Sequence, residues 1–411
     1  MLIGLSASSM EEKERSDTGS MAELSALCET AGIEVLAEVI QSRPSPEPKT
    51  FVGLGKLLEV RELAQNLEAD LLVFDNELSP SQAKNIEDML KIRVLDRSGL
   101  ILDIFSERAM SREGQLQVEL AQYEYLLPRL SGMWAHLASQ TASGGSSPVG
   151  TRGPGETQLE TDRRTIRRRI SALKKSISEL RRVRSVSRAT RLKNEIPQVA
   201  LIGYTNSGKS TLMNSLTDAE VSANDRLFDT LDTKAKKLRL SATSEVILTD
   251  TVGFIRKLPT DLIEAFKATL EELTWADLLL HVVDISGPDR LRQIEVVEDM
   301  IKTLGISNKP RITVYNKCDR LCDIMPRDTD TVCISALYGK GLEELKAKIS
   351  EKLEEDSERI KVRIPYEKAG LIENLHSGSK LYSLDYADDG IVADVLIKNN
   401  KKGAFEEYVI R

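Results

Sequence analysis

The strongest constraint on the fold is an eight-residue segment that matches the pattern G-x-x-x-x-G-K-[ST] in full. It runs from Gly203 to Ser210, follows an apolar strand-like run at residues 199–202, and opens a helix-like run at Thr211. Glycines let the backbone N–H groups of such a loop turn inward, and the N-terminus of the following helix adds a favourable dipole for anions. This strand–loop–helix context predicts an α/β domain with a doubly wound sheet and a phosphate-binding loop.

The pattern also predicts roles for single residues of the loop. Lys209 is expected to reach the β- and γ-phosphates of a nucleotide, and the Ser210 hydroxyl is expected to ligate Mg²⁺. A glycine-rich turn that binds nothing is the structural alternative. The residues predicted to contact nucleotide here are Gly203, Tyr204, Thr205, Asn206, Ser207, Gly208, Lys209, Ser210 and Thr211.

A second motif, Asp250-Thr251-Val252-Gly253, follows a strand-like run at residues 245–249. Asp250 is placed to hold Mg²⁺, directly or through water, and the Gly253 N–H is placed to meet the γ-phosphate. Such a tetrapeptide is a weak signal by itself. Its position at the end of a strand, in the correct order after the phosphate loop, makes it a strong one.

A third motif, at residues 316–319, predicts which base is bound. A carboxylate can accept hydrogen bonds from two N–H groups on one edge of guanine, a pair that adenine does not offer, so Asp319 is expected to select guanine. Asn316 is expected to tie the loops together, and the Ala336 N–H to meet the guanine O6. The residues predicted around the base are Asn316, Lys317, Asp319, Ser335, Ala336 and Leu337. Together the motifs predict a GTP site at the carboxyl edge of the sheet.

A switch segment is expected between the phosphate loop and Asp250, with a threonine that ligates Mg²⁺ only when the γ-phosphate is present. Phe228, Asp229 and Thr230 lie in this interval and are assigned to the nucleotide, with Thr230 as the metal ligand and Thr233 as the alternative. A plain turn threonine is the structural alternative. Lys209, Thr230 and Gly253 are the residues predicted to act in catalysis.

Two residues sharpen the expected mechanism. Phe254 follows Gly253 where a Ras-like GTPase carries a glutamine that orients the attacking water, and a phenylalanine cannot hydrogen-bond water. We therefore expect slow hydrolysis by the isolated protein and acceleration by a partner that orders the switches. Asn206 in the phosphate loop is a possible ligand for a monovalent cation, so stimulation by K⁺ is a hypothesis.

The charge of the chain is unevenly distributed. The overall formal charge is −7, but residues 163–193 hold thirteen lysines and arginines against one acid, Glu179, a net +12 that leaves −19 for the remainder. An acidic protein with one concentrated basic element is suited to place that element on a polyanion.

Composition excludes several other classes. The 41% of hydrophobic residues suffices for ordinary cores, and no run approaches the roughly 18 apolar residues of a membrane span. The N-terminus lacks the basic start and long apolar run of a secretory signal. The cysteines are Cys28, Cys318, Cys322 and Cys333. They include no CxxC pair and complete no zinc set, so reduced thiols in a cytoplasmic protein are expected. We also expect a monomer.

Four domains are predicted from the pattern along the chain. Residues 1–105 alternate strand-like and helix-like runs, which indicates an α/β domain. Residues 106–195 indicate a long helical hairpin with a glycine-rich tip loop. Residues 196–357 form the doubly wound nucleotide domain, and residues 358–411 form a small α/β domain.

Within these domains we predict the following elements. Strands are expected at residues 33–39, 70–74, 92–95, 198–203, 245–250, 278–284, 311–316, 331–334, 360–364 and 390–397. Helices are expected at residues 56–67, 79–90, 106–130, 156–191 and 366–376, and the tip loop of the hairpin at residues 138–155.

The basic helix of the hairpin is expected to contact RNA. Arginine dominates and suits bidentate phosphate contact, while few aromatic residues are near, so structured RNA fits better than single strands. The residues assigned to this contact are Arg152, Arg163, Arg164, Arg167 and Arg168. The alternative is a solvated face paired with an acidic helix, and the preceding helix offers Glu107, Glu113, Glu119 and Glu124 for part of that pairing.

Three segments together resemble the HflX GTPases over nearly the whole chain. They are residues 51–56 (Phe-Val-Gly-Leu-Gly-Lys), residues 150–164 (Gly-Thr-Arg-Gly-Pro-Gly-Glu-Thr-Gln-Leu-Glu-Thr-Asp-Arg-Arg) and residues 250–259 (Asp-Thr-Val-Gly-Phe-Ile-Arg-Lys-Leu-Pro). Residues 150–164 are the most specific, because generic GTPases lack them.

The resemblance implies a translation-factor-class GTPase that binds the large ribosomal subunit and dissociates or rescues ribosomes under stress, notably heat. It also implies an N-terminal α/β domain and a hairpin whose tip points toward the ribosomal catalytic centre. The alternative function is an RNA-binding assembly factor of the large subunit that uses GTP as an occupancy switch. A signalling switch without an RNA role is a third possibility, against which the basic helix argues.

Overall fold

The computed structural model describes residues 1–141, 154–192, 196–217, 227–228, 233–241, 244–259, 270, 273–320, 328–355, 357–368, 370–372, 380–387, 390–398, 403 and 405–410. The chain divides into two compact units. The first contains residues 1–180, 225–232 and 255–267, and the second contains residues 181–224, 233–254 and 268–411. The fold is mixed α/β with parallel sheets, as predicted.

The first unit begins with a parallel sheet. Its strands are β1 (Leu2–Ala7), β2 (Glu38–Arg43), β3 (Leu71–Phe74) and β4 (Arg93–Asp96), in the order β2-β1-β3-β4. The helices are α1 (Thr18–Thr30), α2 (Leu54–Asn66), α3 (Pro80–Leu90) and α4 (Arg97–Arg108). Aliphatic side chains of the sheet, α2 and α3 form a common core.

Two strands of this sheet differ from the prediction. The strand expected at residues 33–39 begins only at Glu38, where pairing with Leu2 of β1 starts. β1 itself was not predicted, although its residues are almost all buried between β2 and β3. A six-residue apolar run at the start of a chain has no upstream turn signal to mark it as a strand.

A helical hairpin follows, built from α5 (Arg112–Thr141) and α6 (Pro154–Leu192). The two helices share an apolar seam, formed by Leu116, Leu120, Tyr123, Ile170, Leu173 and Ile177. Two ion pairs join the helices beside it, Arg169 with Glu119 at 2.6 Å and Lys174 with Glu124 at 2.8 Å. The pairing of part of the basic charge with acids of the preceding helix, which the sequence offered, is confirmed for these two residues.

The helix predicted at residues 106–130 is wrong at its start. α4 ends at Arg108, and a new helix begins because the Ser111 hydroxyl accepts a hydrogen bond from the Gly114 N–H at 2.9 Å. A serine in this position caps the free N–H groups of a helix N-terminus. The cap separates two helices that hydrophobic periodicity alone joins.

The predicted end of the same helix near Pro128 is also wrong, because α5 continues through the proline to Thr141. Next to Pro128, the Arg129 guanidinium donates hydrogen bonds to the Leu78 carbonyl at 2.9 Å and to Asp96 at 2.8 Å. These tertiary contacts hold the helix across the proline. The predicted tip loop shortens accordingly: residues 138–141 and 154–155 are helical, and residues 142–153, with Arg152, lie outside the described residues.

The second unit contains a six-stranded sheet. Its strands are β5 (Gln198–Gly203), β6 (Lys234–Arg239), β7 (Glu245–Asp250), β8 (Leu278–Asp284), β9 (Arg311–Asn316) and β10 (Thr331–Cys333). The order is β10-β9-β8-β5-β7-β6, parallel except for the β6–β7 pair. The helices are α7 (Lys209–Thr217), α8 (Arg290–Thr303) and α9 (Leu342–Glu354). The long strands agree with the prediction, while the edge strand β6 was not predicted.

A three-stranded antiparallel sheet closes the chain. It contains β11 (Ser357–Ile364), β12 (Lys380–Ala387) and β13 (Gly390–Lys398), in the order β11-β13-β12. The helix predicted at residues 366–376 is wrong at its start, where Tyr366–Lys368 form a single 3-10 turn, and residues 373–376 lie outside the described residues. β12 was not predicted, because its polar and aromatic residues show no clear apolar alternation.

In the described part of the chain, no helix has the length and apolar character needed to cross a membrane. Cys28, Cys318 and Cys333 are free thiols, as predicted, and Cys322 lies outside the described residues.

Candidate nucleotide site

The phosphate loop connects β5 to α7 and has a backbone that its sequence requires. Gly203 has φ +154°, and a Cβ there would lie 2.2 Å from the Val282 carbonyl oxygen. Gly208 has φ +90°, and a Cβ there would lie 2.2 Å from Asn316 Nδ2. Asn206 also adopts a left-handed conformation, with φ +58°, which asparagine tolerates better than most residues. The loop therefore has the tight, inward-turned form predicted from its glycines.

Lys209 lies buried beneath this loop. Its ammonium group donates hydrogen bonds to the carbonyl oxygens of Tyr204 at 2.7 Å and Gly203 at 3.1 Å. Burial lowers the pKa of Lys209 to about 8, and the nearby Asp250 carboxylate only partly offsets this effect. The positive charge is thus held inside the loop with loop carbonyls as its partners.

The Ser210 hydroxyl and Asp250, predicted as ligands of one metal ion, are brought together although they are forty residues apart in sequence. Ser210 Oγ donates a hydrogen bond to Asp250 Oδ2 at 2.8 Å. Among the described residues, the buried hydroxyls of Thr205 and Ser207 have no hydrogen-bond partner. Buried polar groups in proteins are nearly always satisfied, so these two hydroxyls fit a loop that closes around a polar ligand.

Residues 250–254 run along the phosphate loop. The Thr251 hydroxyl donates to the Leu201 carbonyl at 2.6 Å, which fixes this segment to β5. Gly253 lies so close to the loop that a Cβ there would be 2.9 Å from Lys209 Nζ. Glycine is therefore the residue that allows this approach, and the contact of its N–H with the γ-phosphate stays a prediction.

Phe254 pairs with the phosphate loop through its main chain. The Phe254 N–H donates to the Gly203 carbonyl at 3.1 Å, and the Phe254 carbonyl accepts from the Thr205 N–H at 2.8 Å. The phenylalanine ring is buried, with 2% of the residue exposed. A buried ring cannot orient an attacking water, and slow unaided hydrolysis stays a prediction. The Thr205 N–H of the loop donates its hydrogen bond to the Phe254 carbonyl.

Asn316 joins three loops at the carboxyl edge of the sheet. Its Nδ2 donates to the Ser207 carbonyl at 2.9 Å, and its Oδ1 accepts from the Ala336 N–H at 3.0 Å. Lys317 adds a second tie, since its ammonium group donates to the Asn206 carbonyl at 2.9 Å and pairs with Asp284 at 2.7 Å. Sequence analysis missed Asp284; an acid at the carboxyl end of the apolar strand β8 was the available signal.

Asp319 and the loop after β10 have the form expected of a base-recognition site. The Ser335 hydroxyl donates to the Asp319 carboxylate, and this bond lowers the pKa of Asp319, which keeps it an acceptor. Leu337 is exposed. One assignment needs correction. The Ala336 N–H donates to Asn316 Oδ1 in this structure. A hydrogen bond from this N–H to the guanine O6 therefore requires that the bond to Asn316 be shared or broken.

Only some of the predicted switch residues lie within the described part of the chain. Asp229 and Thr230 lie outside the described residues, and Thr233 directly precedes β6. The Phe228 ring packs edge-on against Phe105 of α4, with ring centroids 4.7 Å apart. Phe228 is buried by this contact, which sequence analysis did not anticipate, and its role toward nucleotide stays a prediction.

A phosphate loop after β5, an aspartate and glycine after β7, and an asparagine and aspartate after β9 define a P-loop GTPase. Models of three protein families match the chain in succession. They are a GTP-binding GTPase N-terminal domain at residues 18–106, a GTP-binding GTPase middle region at residues 108–191, and a 50S ribosome-binding GTPase at residues 198–317.

Full-length relatives are also similar. The GTPase HflX of Caldanaerobacter subterraneus subsp. tengcongensis is 46% identical over 395 residues, which cover 96% of this chain and 91% of the relative. The GTPase HflX of Escherichia coli is 41% identical over 384 residues, which cover 92% of this chain and 89% of the relative. A GTP-binding protein of Sulfolobus solfataricus in complex with GDP has a similar solved structure, with a TM-score of 0.44 and 26% identity, covering 86% of this chain and 98% of that one.

The chain belongs to the HflX family of GTPases. It binds guanine nucleotides and hydrolyses GTP to GDP and phosphate.

The lowered pKa of Lys209 leads to a prediction about pH. Without nucleotide, the ammonium group titrates near its pKa of about 8. Phosphate binding needs the charged form, so GTP affinity should be constant below about pH 8 and fall by up to about tenfold per pH unit above it. Isothermal titration with GTP between about pH 7 and pH 9.5 measures this directly.

Two variants control this experiment. Lys209→Arg carries a charge that does not titrate in this range, so whatever affinity it retains should not vary with pH. Lys209→Ala should lose tight nucleotide binding altogether. A wild-type affinity that stays flat through pH 9, or tight binding by Lys209→Ala, would contradict the role assigned to this lysine.

Proposed function

We propose that this GTPase binds the large ribosomal subunit through its helical hairpin and uses GTP to dissociate ribosomes or rescue stalled ones under stress. Such a role would place it in the cytoplasm with the ribosomes. Support comes from three sources: family membership, the 50S ribosome-binding description of the model that matches residues 198–317, and the basic face of α6. The last is the observation that carries the proposal.

The basic residues of α6 fall into two groups. Arg169 and Lys174 flank the apolar seam and are held by acids of α5, so they stabilise the hairpin. Arg164, Arg168 and Lys175 are exposed and make no ion pair with any residue that the structure describes. Their spacing of four and seven places them along one outward stripe of the helix. Arg163 and Arg167 lie beside this stripe.

The stripe fits phosphates of structured RNA better than an acidic protein. The acids of the partner helix are already used in the hairpin, so they do not neutralise the stripe. From Arg164 to Lys175 the helix rises about 16 Å, enough to meet several phosphates of a folded RNA. Guanidinium groups suit bidentate phosphate contact.

For the nucleotide site we propose the roles assigned from sequence. Lys209 and the Gly253 N–H contact the phosphates. The ligands of Mg²⁺ are Ser210, Asp250 and Thr230. Hydroxyl and carboxylate oxygens are the ligands that Mg²⁺ prefers, and the Ser210–Asp250 contact already brings two of them together. Asp319 recognises guanine. The metal would neutralise developing charge on the phosphates, while Lys209 and the loop amides orient them.

The proposed RNA contact predicts a change in salt dependence. The variant Arg164→Gln/Arg168→Gln/Lys175→Gln should bind purified large subunits more weakly than the wild type. It should also lower the slope of log affinity against log salt by roughly two to three, because each phosphate contact contributes about 0.7 to 0.9. Binding at two or more KCl concentrations, measured by co-sedimentation or fluorescence, provides the slope.

A charge-matched control is Lys13→Gln/Lys91→Gln/Lys302→Gln, which removes three exposed lysines outside the hairpin. Its slope of log affinity against log salt should be nearly that of the wild type. If both triple variants behave alike, the α6 stripe is not the RNA contact. Tight binding to immature particles, without dissociation of mature ribosomes, would favour the assembly-factor alternative instead.

We also propose that K⁺ assists hydrolysis at Asn206. The left-handed backbone of this residue is fixed by its carbonyl, which accepts from Lys317. Turnover should be faster in KCl than in NaCl of the same concentration. Asn206→Gly keeps the left-handed backbone accessible and removes only the side chain, so it should abolish the difference between the salts. Equal wild-type rates in both salts would contradict the proposal.

A further inference from the structure

Two segments of the chain that flank the GTP site in sequence belong to the first compact unit. Residues 225–232 precede β6, and residues 255–267 follow the Asp250–Gly253 motif; both are grouped with residues 1–180. Among their described residues, Phe228 and Lys257 are nearly inaccessible to solvent. The contacts of these two residues show what holds each segment.

Lys257 makes an ion pair with Asp75, which follows β3. Its ammonium group donates to Asp75 Oδ2 at 2.5 Å, with 5% of the lysine side chain and none of the aspartate exposed. Lys257 also has φ +52°, a conformation that lysine rarely adopts. A strained backbone persists only where the surroundings impose it, so the ion pair is the natural cause. Arg256 beside it pairs with Asp17 at 3.5 Å.

Asp75 is held firmly by other groups. It accepts from the hydroxyls of Ser16 at 2.6 Å and Ser20 at 2.5 Å, and from Arg97 Nη1 at 2.8 Å. Burial by itself would raise the pKa of Asp75, but Arg97 and Lys257 outweigh it and lower the pKa to about 2. Asp75 is therefore a carboxylate at any physiological pH. Ser16, Ser20 and Arg97 also hold Asp75, so the carboxylate keeps these partners if Lys257 leaves.

The second segment is held on the same helix. Arg97 begins α4, and Phe105, two turns later, packs edge-on against Phe228. The two positions are about 12 Å apart along the helix. α4 thus contacts the segment that contains Thr230 through an aromatic pair. It reaches the segment that follows Gly253 through Arg97, Asp75 and Lys257.

A cavity of about 250 Å³ adjoins the ion pair. Glu14 and Glu77 line it together with Asp75, Arg97 and Lys257. An ammonium group that leaves Asp75 therefore has acidic side chains on the wall of the same cavity.

We infer that Asp75 and Lys257 are positioning residues for GTP hydrolysis. Their ion pair keeps the segment after Gly253 where the Phe254 main chain occupies the Thr205 amide, and so keeps unstimulated turnover slow. Only two residues, Ile255 and Arg256, separate Phe254 from Lys257, so release of Lys257 frees Phe254 to leave the phosphate loop. The inference rests on the roles proposed for the phosphate loop and the Asp250–Gly253 motif.

The test uses the full chain without ribosomes. Lys257→Met keeps the length of the side chain and removes its charge. It should raise unstimulated GTP turnover by about fivefold or more, in the range of typical coupling between sites. It should also speed hydrogen–deuterium exchange of the Thr205 and Phe254 amides. A role in folding alone would lower stability without raising turnover or exposing these two amides.

Controls separate the possible failures. Lys302→Met removes an exposed lysine of α8 in a surface pair and should leave both readouts unchanged. Asp75→Asn should act like Lys257→Met, and the double variant should act like either single one, because both break the same interaction. Lys257→Met with wild-type turnover and exchange, or additive effects in the double variant, would overturn the inference. Failure of the site assignment would show separately, as GTP turnover that survives Lys209→Ala.

Discussion

The side-chain amide of Asn316 is the contact on which the geometry of the GTP site depends. It reaches from the end of β9 to the Ser207 carbonyl in the phosphate loop and to the Ala336 N–H in the loop after β10. The Gly208 backbone passes so close to the amide that no side chain fits there. One buried polar group therefore fixes three loops that the sheet only brings to a common edge. Loss of either bond would leave a buried donor or acceptor unsatisfied.

The phosphate side of the site is fixed differently. Lys209 donates to carbonyls of its own loop, Ser210 donates to Asp250, and the Phe254 main chain lies along the loop. Beyond Phe254 the chain enters a set of buried charges around Asp75. We propose that turnover accelerates when a partner changes the contacts of the segments on either side of the site, and that the ribosome is this partner.

Local sequence was sufficient for the elements that carry strong periodicity or a motif. β5, β7, β8 and β9 begin and end as predicted, because each is rich in apolar residues and ends where a motif residue or an acid begins the next loop. The phosphate loop and the approach of Ser210 to Asp250 also followed from sequence. These predictions succeed because glycine positions and strand ends determine them without reference to distant residues.

The remaining features depend on distant residues. The helix break at Ser111 and the helix that passes Pro128 depend on a hydroxyl cap and on the contacts of Arg129. The edge strand β6 carries mostly basic residues and the edge strand β12 mixes polar, aromatic and aliphatic ones, so only pairing reveals them. The Lys257–Asp75 pair joins residues 182 positions apart, and the Phe105–Phe228 contact is also long-range. No local pattern marks either pair, because a single lysine predicts only a surface position and a single phenylalanine only a core position.

We propose that the large ribosomal subunit is the activator of this GTPase. GTP turnover by the purified wild-type protein, with and without large subunits, at a low and a high salt concentration, tests this directly. We predict slow turnover by the protein alone, strong stimulation by large subunits, and loss of that stimulation as salt rises. Unchanged turnover in the presence of subunits, with nucleotide still tightly bound, would contradict it.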